Sequence, residues 1–157
     1  MTETIPENAD RDFTASGYVV DNAKVLLLHH KKIGMWLQPG GHIEDGELPH
    51  ETAKREVKEE TGVTPRLNHK PDTEYDEPAE DLPKPFHVNA HEIEDGHWHC
   101  DFAYIFHAEQ HGEATHEDEH HGTKWFTAQE LQQDDHAMPE NVRRTALKAL
   151  KNLAGPH

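Results

Sequence analysis

The sequence predicts an α/β fold, and three observations lead there. Two stretches rich in β-branched and aromatic residues are each folded back by a turn signal: Phe13–Val20 with Lys24–His29 around Asp21-Asn22, and Phe86–Glu94 with His97–Ala108 around Asp95-Gly96. Between them, Pro49 and Gly62 bracket a helical run, proline suiting a first turn and glycine the left-handed position past the end. After Pro139, a second run carries Val142, Ala146, Leu150 and Leu153 at helical intervals, with Leu147 widening the stripe. A chain of 157 residues can bury a sizeable core without a second domain.

Taken in order, residues 1–12 read as a flexible N-terminal leader before a single domain over 13–157. Val25 to Leu28 is a continuous apolar run, as expected of a central strand covered on both faces. His29-His30 reads as a polar strand end, and Gly34 turns the chain. Pro65 to His69 is expected to add a short strand. Residues 71–85, rich in proline and acid, have little to bury and read as a mobile loop, either a solvated insertion or a lid.

If the Asp95-Gly96 turn closes tightly, Ile93 lies opposite Trp98, Glu92 opposite His99 and Phe86 opposite Ile105. Alternation then puts Trp98, Cys100, Phe102, Tyr104 and Phe106 on one face and His97, His99, Asp101, Ala103 and Ile105 on the other. The aromatic face reads first as core; as a base-stacking wall it would offer Trp98 and Tyr104. His97 and His99 read first as polar strand positions; as ligands they would take Zn²⁺ with Asp101 or a glutamate of the 41–63 stretch. Residues 110–122 read as an acidic, histidine-rich loop before a short strand at Thr123–Phe126.

Composition narrows the function. With 31 acidic and 15 basic residues the net charge is −16, so a nucleic-acid duplex is a poor partner. The acid excess fits either a salty cytoplasm or simple solubility, and it repels an anionic ligand unless a bound cation screens the field. The lone Cys100 excludes an intramolecular disulfide and fits a reducing compartment. No apolar run has bilayer length and the first residues are acidic and polar, so no membrane association is expected and a cytoplasmic location is.

The most informative stretch is Gly41 to Val63, GHIEDGELPHETAKREVKEETGV. Helical geometry puts Ala53 and Val57 on a narrow apolar stripe, while Glu56, Glu59 and Glu60 fall at i, i+3 and i+4 on another face. Three like charges there repel one another, so a cation is expected among them. All-oxygen donors favour a hard ion, Mg²⁺ or Mn²⁺, which shares its coordination with phosphates. An ordinary solvated acidic helix is the plainer alternative. The Gly40-Gly41 pair and an Arg55 able to meet Glu47 are features such a helix has no need of.

This pattern of Gly41, Glu47, Arg55-Glu56, Val57, Glu59-Glu60, Gly62 and Val63 resembles the Nudix box at every defining position, and the run Met35-Trp36-Leu37-Gln38-Pro39-Gly40-Gly41, with its Trp, Leu, Pro and paired glycines, resembles the usual approach to it. The resemblance implies an α/β/α sandwich with a mixed sheet between helices. It also implies Glu56, Glu59, Glu60 and the Gly40 carbonyl as ligands of Mg²⁺ or Mn²⁺, and an Arg55–Glu47 pair that fixes the loop, with Gly41 in support. Catalytic roles fall to Glu59, Glu56, Arg55 and Glu119, the last because some members carry a glutamate six residues before a tryptophan such as Trp125, with Glu117 as the fallback and surface charge as the rival explanation. Gln38 and His42 would face the phosphates, and Trp98 and Tyr104 the base. The implied activity is hydrolysis of a nucleoside diphosphate linked to another group, such as ADP-ribose or a nucleoside triphosphate. In this family a proline or tyrosine past the box points to ADP-ribose or dinucleoside polyphosphates respectively, and Pro78 and Tyr75 stand there. A nucleotide-sensing module without turnover, or an isopentenyl diphosphate isomerase-type enzyme, is the alternative. As partner a small-molecule nucleotide diphosphate is expected; a homodimer is left open.

Overall fold

The computed structural model describes residues 5–68, 71, 79–113, 120–133 and 135–154. Its centre is a parallel pair, β1 (Asp10–Asp21) beside β7 (His97–Gln110), in register from Asp10↔His97 to Val20↔His107. Among the described residues every other pairing is antiparallel. β2 (Lys24–His30) continues from β1 and pairs with β3 (Trp36–Leu37) and β8 (His120–Thr127). β4 (Gly40–His42) pairs with the first half of β1. β6 (His87–Glu94) and β5 (Thr64–Leu67) pair with the first and second halves of β7.

Alternation along the central strands sorts the core into two layers. On one face Ala15, Val19, Tyr104 and Phe106 pack with Ala53 and Val57 of α1 (Pro49–Thr61). On the other, Tyr18, Val20, Ala103 and Ile105 pack with Val142, Ala146 and Ala149 of α3 (Glu140–Ala154). The short α2 (Ala128–Gln132) adds Leu131 to that second layer. The sheet therefore lies between helices, as expected of the α/β class. Gly17 lets α1 approach: a Cβ there would meet Val57 Cγ2 at 2.6 Å and Phe106 Cε2 at 2.7 Å.

Three expectations need correction. β1 starts at Asp10, inside the stretch expected as leader, because Asp10–Asp12 find partners in His97–His99. β8 starts at His120, inside the stretch expected as loop. The β6–β7 register is shifted: Glu94 faces His97, but beyond an irregularity at Ile93 the partners are Glu92↔Trp98 and His91↔His99. A tight hairpin wants both central residues at positive φ, and here Gly96 alone takes it, at 79°. The bulge absorbs the mismatch, and Glu92 consequently lies on the opposite face from His99.

Candidate active site

α1 is set by its ends. Leu48 precedes it in extended backbone, its N–H donating to Glu51 at 2.9 Å, and Pro49 occupies the first turn. Gly62 closes it with φ 79°, donating its N–H to the Lys58 carbonyl at 2.9 Å; a side chain there would also run into the Gly112 carbonyl. Val57, fully buried against the sheet, contributes roughly 2 kcal/mol to docking this helix. With Ala53 and Val57 turned inward, the glutamates of the next strip are carried to the rim where β4 ends.

Arg55 is the hub there. It makes a two-pronged contact with Glu47, Nε to Oε2 at 2.7 Å and Nη2 to Oε1 at 3.1 Å, while Nη1 donates to Glu56 at 2.8 Å and Glu59 at 3.2 Å. Glu47 also accepts from the Thr52 hydroxyl at 2.7 Å and the Glu44 N–H at 3.2 Å. The Arg55 hydrogen bonds are the main reason the Glu47 carboxyl is held down at about 2, and they push the guanidinium up in turn. The expected Arg55–Glu47 pair is thus present, tying the loop after β4 to the helix.

Two carboxylates turn from this hub toward the glycines. Glu60, only 7% exposed, accepts the Gly40 N–H at 2.9 Å. Glu56 lies over Gly41 so closely that a Cβ at that position would sit 2.5 Å from its Oε1. Burial raises the Glu56 carboxyl against the opposing pull of Arg55, with Glu60 within hydrogen-bonding reach. Carboxylates gathered along this strip, Glu60 buried and Glu56 and Glu59 partly so, form a donor set suited to a hard divalent ion. Glu56, Glu59 and Glu60 are the side chains that would hold it. Beside them, Lys54, Arg55, Lys58, Glu59, Thr64 and Pro65 line a surface groove that supplies positive charge in an otherwise acidic protein.

One contributor escaped the sequence. His120, at the start of β8 and 6% exposed, accepts the Gly122 N–H on Nδ1 at 2.9 Å, which leaves Nε2 to donate to the Glu60 carbonyl at 2.7 Å. It satisfies a carbonyl in the last turn of α1 and so fixes the backbone that carries Glu60. Only its place in an ordinary-looking histidine-rich stretch was visible beforehand.

The residues expected to contact substrate are dispersed. Because Gly41 faces Glu56, its neighbour His42 points to the opposite face of β4, where it meets His99 with ring centroids 5.1 Å apart and Asp12 at 3.6 Å. Tyr104, 3% exposed, is core on the α1 side, its hydroxyl pushed up to about 12 by burial, and Trp98 is likewise buried, at 9%. Neither offers an open face to a base; Tyr104 is covered by Ala53 and Val57 of α1. The Gln38 side-chain oxygen is buried without a hydrogen-bond partner among the described residues. Asp101 does not join His97 and His99; the Thr14 and Ser16 hydroxyls take it at 2.8 and 2.6 Å. Glu117, Glu119, Tyr75 and Pro78 lie outside the described residues.

Comparison with known proteins agrees with this geometry. The NUDIX domain model matches residues 11–147. A crystal structure of a NUDIX-family hydrolase from Clostridium perfringens superposes with a TM-score of 0.80 at 34% identity, covering 92% of this chain and 99% of that one. A putative 8-oxo-dGTP diphosphatase of Bacillus subtilis is 34% identical over 61 residues, 37% of this chain and 41% of the relative. An ADP-ribose pyrophosphatase of Methanocaldococcus jannaschii is 39% identical over 54 residues, 32% of each. The matched segments span less than half the length of these two curated relatives. With the family model covering most of the chain and the box residues assembled around Arg55, this protein belongs to the NUDIX hydrolase family.

Proposed function

We propose that the protein is a Mg²⁺- or Mn²⁺-dependent hydrolase that cleaves the pyrophosphate bond of a nucleoside diphosphate linked to a further group. The observation that carries this is the convergence of Glu56, Glu59 and Glu60 beside the Gly40-Gly41 strand, with Arg55 and Glu47 bracing them. A divalent ion bound there neutralises bridging oxygens and lowers the pKa of water. Glu56, Glu59, Glu60 and the Gly40 carbonyl would hold it, while Arg55 orients Glu56 and Glu59 and is itself oriented by Glu47. The proton of the attacking water passes to a carboxylate, for which Glu56, Glu59 and Glu119 are the candidates. Gln38, with its orphaned buried oxygen, is the remaining candidate for a polar contact to substrate.

The likeness to a putative 8-oxo-dGTP diphosphatase and to an ADP-ribose pyrophosphatase supports both a nucleoside triphosphate and a sugar nucleotide as substrates. Phosphate or nucleoside monophosphate release, measured over a panel of both classes with and without Mg²⁺, separates them. Glu59→Gln and Glu60→Gln are each expected to lower kcat by at least ~10²-fold, the scale of removing one preorganised charge. Unchanged turnover in either variant counts against the mechanism, and a panel silent with Mn²⁺ as well favours a binding module. The isomerase alternative is weakened by Cys100, whose thiol burial pushes up, away from thiolate.

A further inference from the structure

Away from the box carboxylates, three strands bring together a second set of ligating side chains. Asp12 on β1 pairs directly with His99 on β7, and His42 on β4 lies opposite Thr14, two residues along from Asp12. All three side chains project from one face of the sheet, opposite the face where Gly41 meets Glu56. One donor atom from each lies within 4.8 Å of the other two. Donors on a tetrahedral ion with bonds of about 2.0–2.1 Å sit roughly 3.3 Å apart, a gap that small rotations of the exposed His42 and the half-buried His99 close.

We propose that Asp12, His42 and His99 form a second cation site, for a Zn²⁺-class ion (Zn²⁺, Co²⁺ or Ni²⁺), separate from the glutamates of α1. Two imidazoles and one carboxylate select such an ion over Mg²⁺, whereas the all-oxygen box does the reverse. His97 supplies the outer support: its Nε2 lies 2.6 Å from Asp12 Oδ2, the carboxylate–histidine contact that commonly steadies a ligand. His91 flanks His99 with ring centroids 6.0 Å apart, completing a rim of imidazoles around a single acid. Asp101 stays out of the site because Thr14 and Ser16 hold both of its oxygens.

Three protein ligands leave a position open to water or to an oxygen of a bound anion. An ion there would also clamp β4, the strand carrying Gly40-Gly41, to β1 and β7. The site does not depend on the proposed hydrolysis.

The test is a Co²⁺ titration of the full chain without an added histidine tag, followed by calorimetry and by paramagnetically shifted imidazole N–H resonances. One equivalent with such resonances is expected in the wild type and in Glu60→Gln. Affinity should fall at least about 100-fold in His99→Ala and Asp12→Asn, the latter isosteric and so without a cavity, and about 10–100-fold in His97→Ala. His111→Ala, outside the cluster, should bind as wild type. Zn²⁺ should raise Tm in the wild type and not in His99→Ala. Co²⁺ binding unchanged in both His99→Ala and Asp12→Asn overturns the site, as does an equivalent lost in Glu60→Gln and kept in His99→Ala. A catalytically silent protein that still binds Co²⁺ through His99 upholds this site while sinking the hydrolase reading.

Discussion

Replacing Gly41 by alanine probes the candidate site with a single methyl group. That methyl would stand 2.5 Å from Glu56 Oε1 and 2.6 Å from its carboxyl carbon, so reaching ordinary contact requires a displacement of roughly 0.9 Å. The yielding group is the far end of a flexible side chain, and Gly41 is not among the positive-φ glycines, so the fold should lose no more than about 1 kcal/mol. Catalysis is less forgiving, since a misplacement of about 1 Å in a reacting constellation costs on the order of 10²-fold. Gly41→Ala should therefore keep its far-UV spectrum and nearly its Tm while kcat drops about 100-fold on whichever nucleotide the panel identifies. A variant that folds and turns over within about twofold of wild type would show that Glu56 need not sit where it does. One that unfolds would show that the carboxylate end is not the element that gives.

Other perturbations read other parts of the molecule. Glu47 should be one source of pH dependence: its carboxyl falls from 4.5 to about 2 on folding, so its stabilisation is complete above about pH 4.5 and lost as pH falls toward 2. Urea unfolding should accordingly show the gap between wild type and Glu47→Gln shrinking from about pH 6 to about pH 3; a gap that widens refutes the Arg55 pair as its cause. Gly17→Ala forces a methyl into Val57 and Phe106, both buried, and should cost about 1–3 kcal/mol by chemical denaturation. Ala23, held at φ 60° beside Asn22 at 50°, pays for a left-handed backbone; Ala23→Gly should gain up to about 1 kcal/mol, and a loss would mean the turn is not strained.

What the sequence disclosed was mainly local. Pro49, Gly62 and the Ala53–Val57 stripe fix the length and inward face of α1, and from these the glutamate strip follows by helical geometry. The Glu47–Arg55 pair spans eight positions and starts ahead of the helix, so it was legible through the resemblance of the box rather than through helical geometry. What stayed hidden depends on strands meeting across long separations. Nothing in composition tells that β1 runs parallel to β7, so Asp12 could not be put beside His99, nor Asp101 beside Thr14 and Ser16. A bulge at Ile93 leaves no compositional trace, and the one-residue slip there moved every partner beyond Glu94↔His97 in the second hairpin. The orientation of His42 could have been inferred by parity: once Gly41 is assigned to Glu56, the next residue must look the other way.

The central parallel ladder has a consequence for how the molecule comes into being. Its contacts join residues 87 positions apart, as in the Thr14–Asp101 bond, so they reward the chain only after a long loop has closed. The first hairpin and the box helix are short-range and can flicker into existence early, with Ala15 and Val19 giving the helix part of its seat, but Tyr104 and Phe106 complete that seat only once β7 has been made. Order in the glutamate cluster should thus appear as a late event in refolding, and chains stopped short of His97 should leave it unassembled and open to proteases.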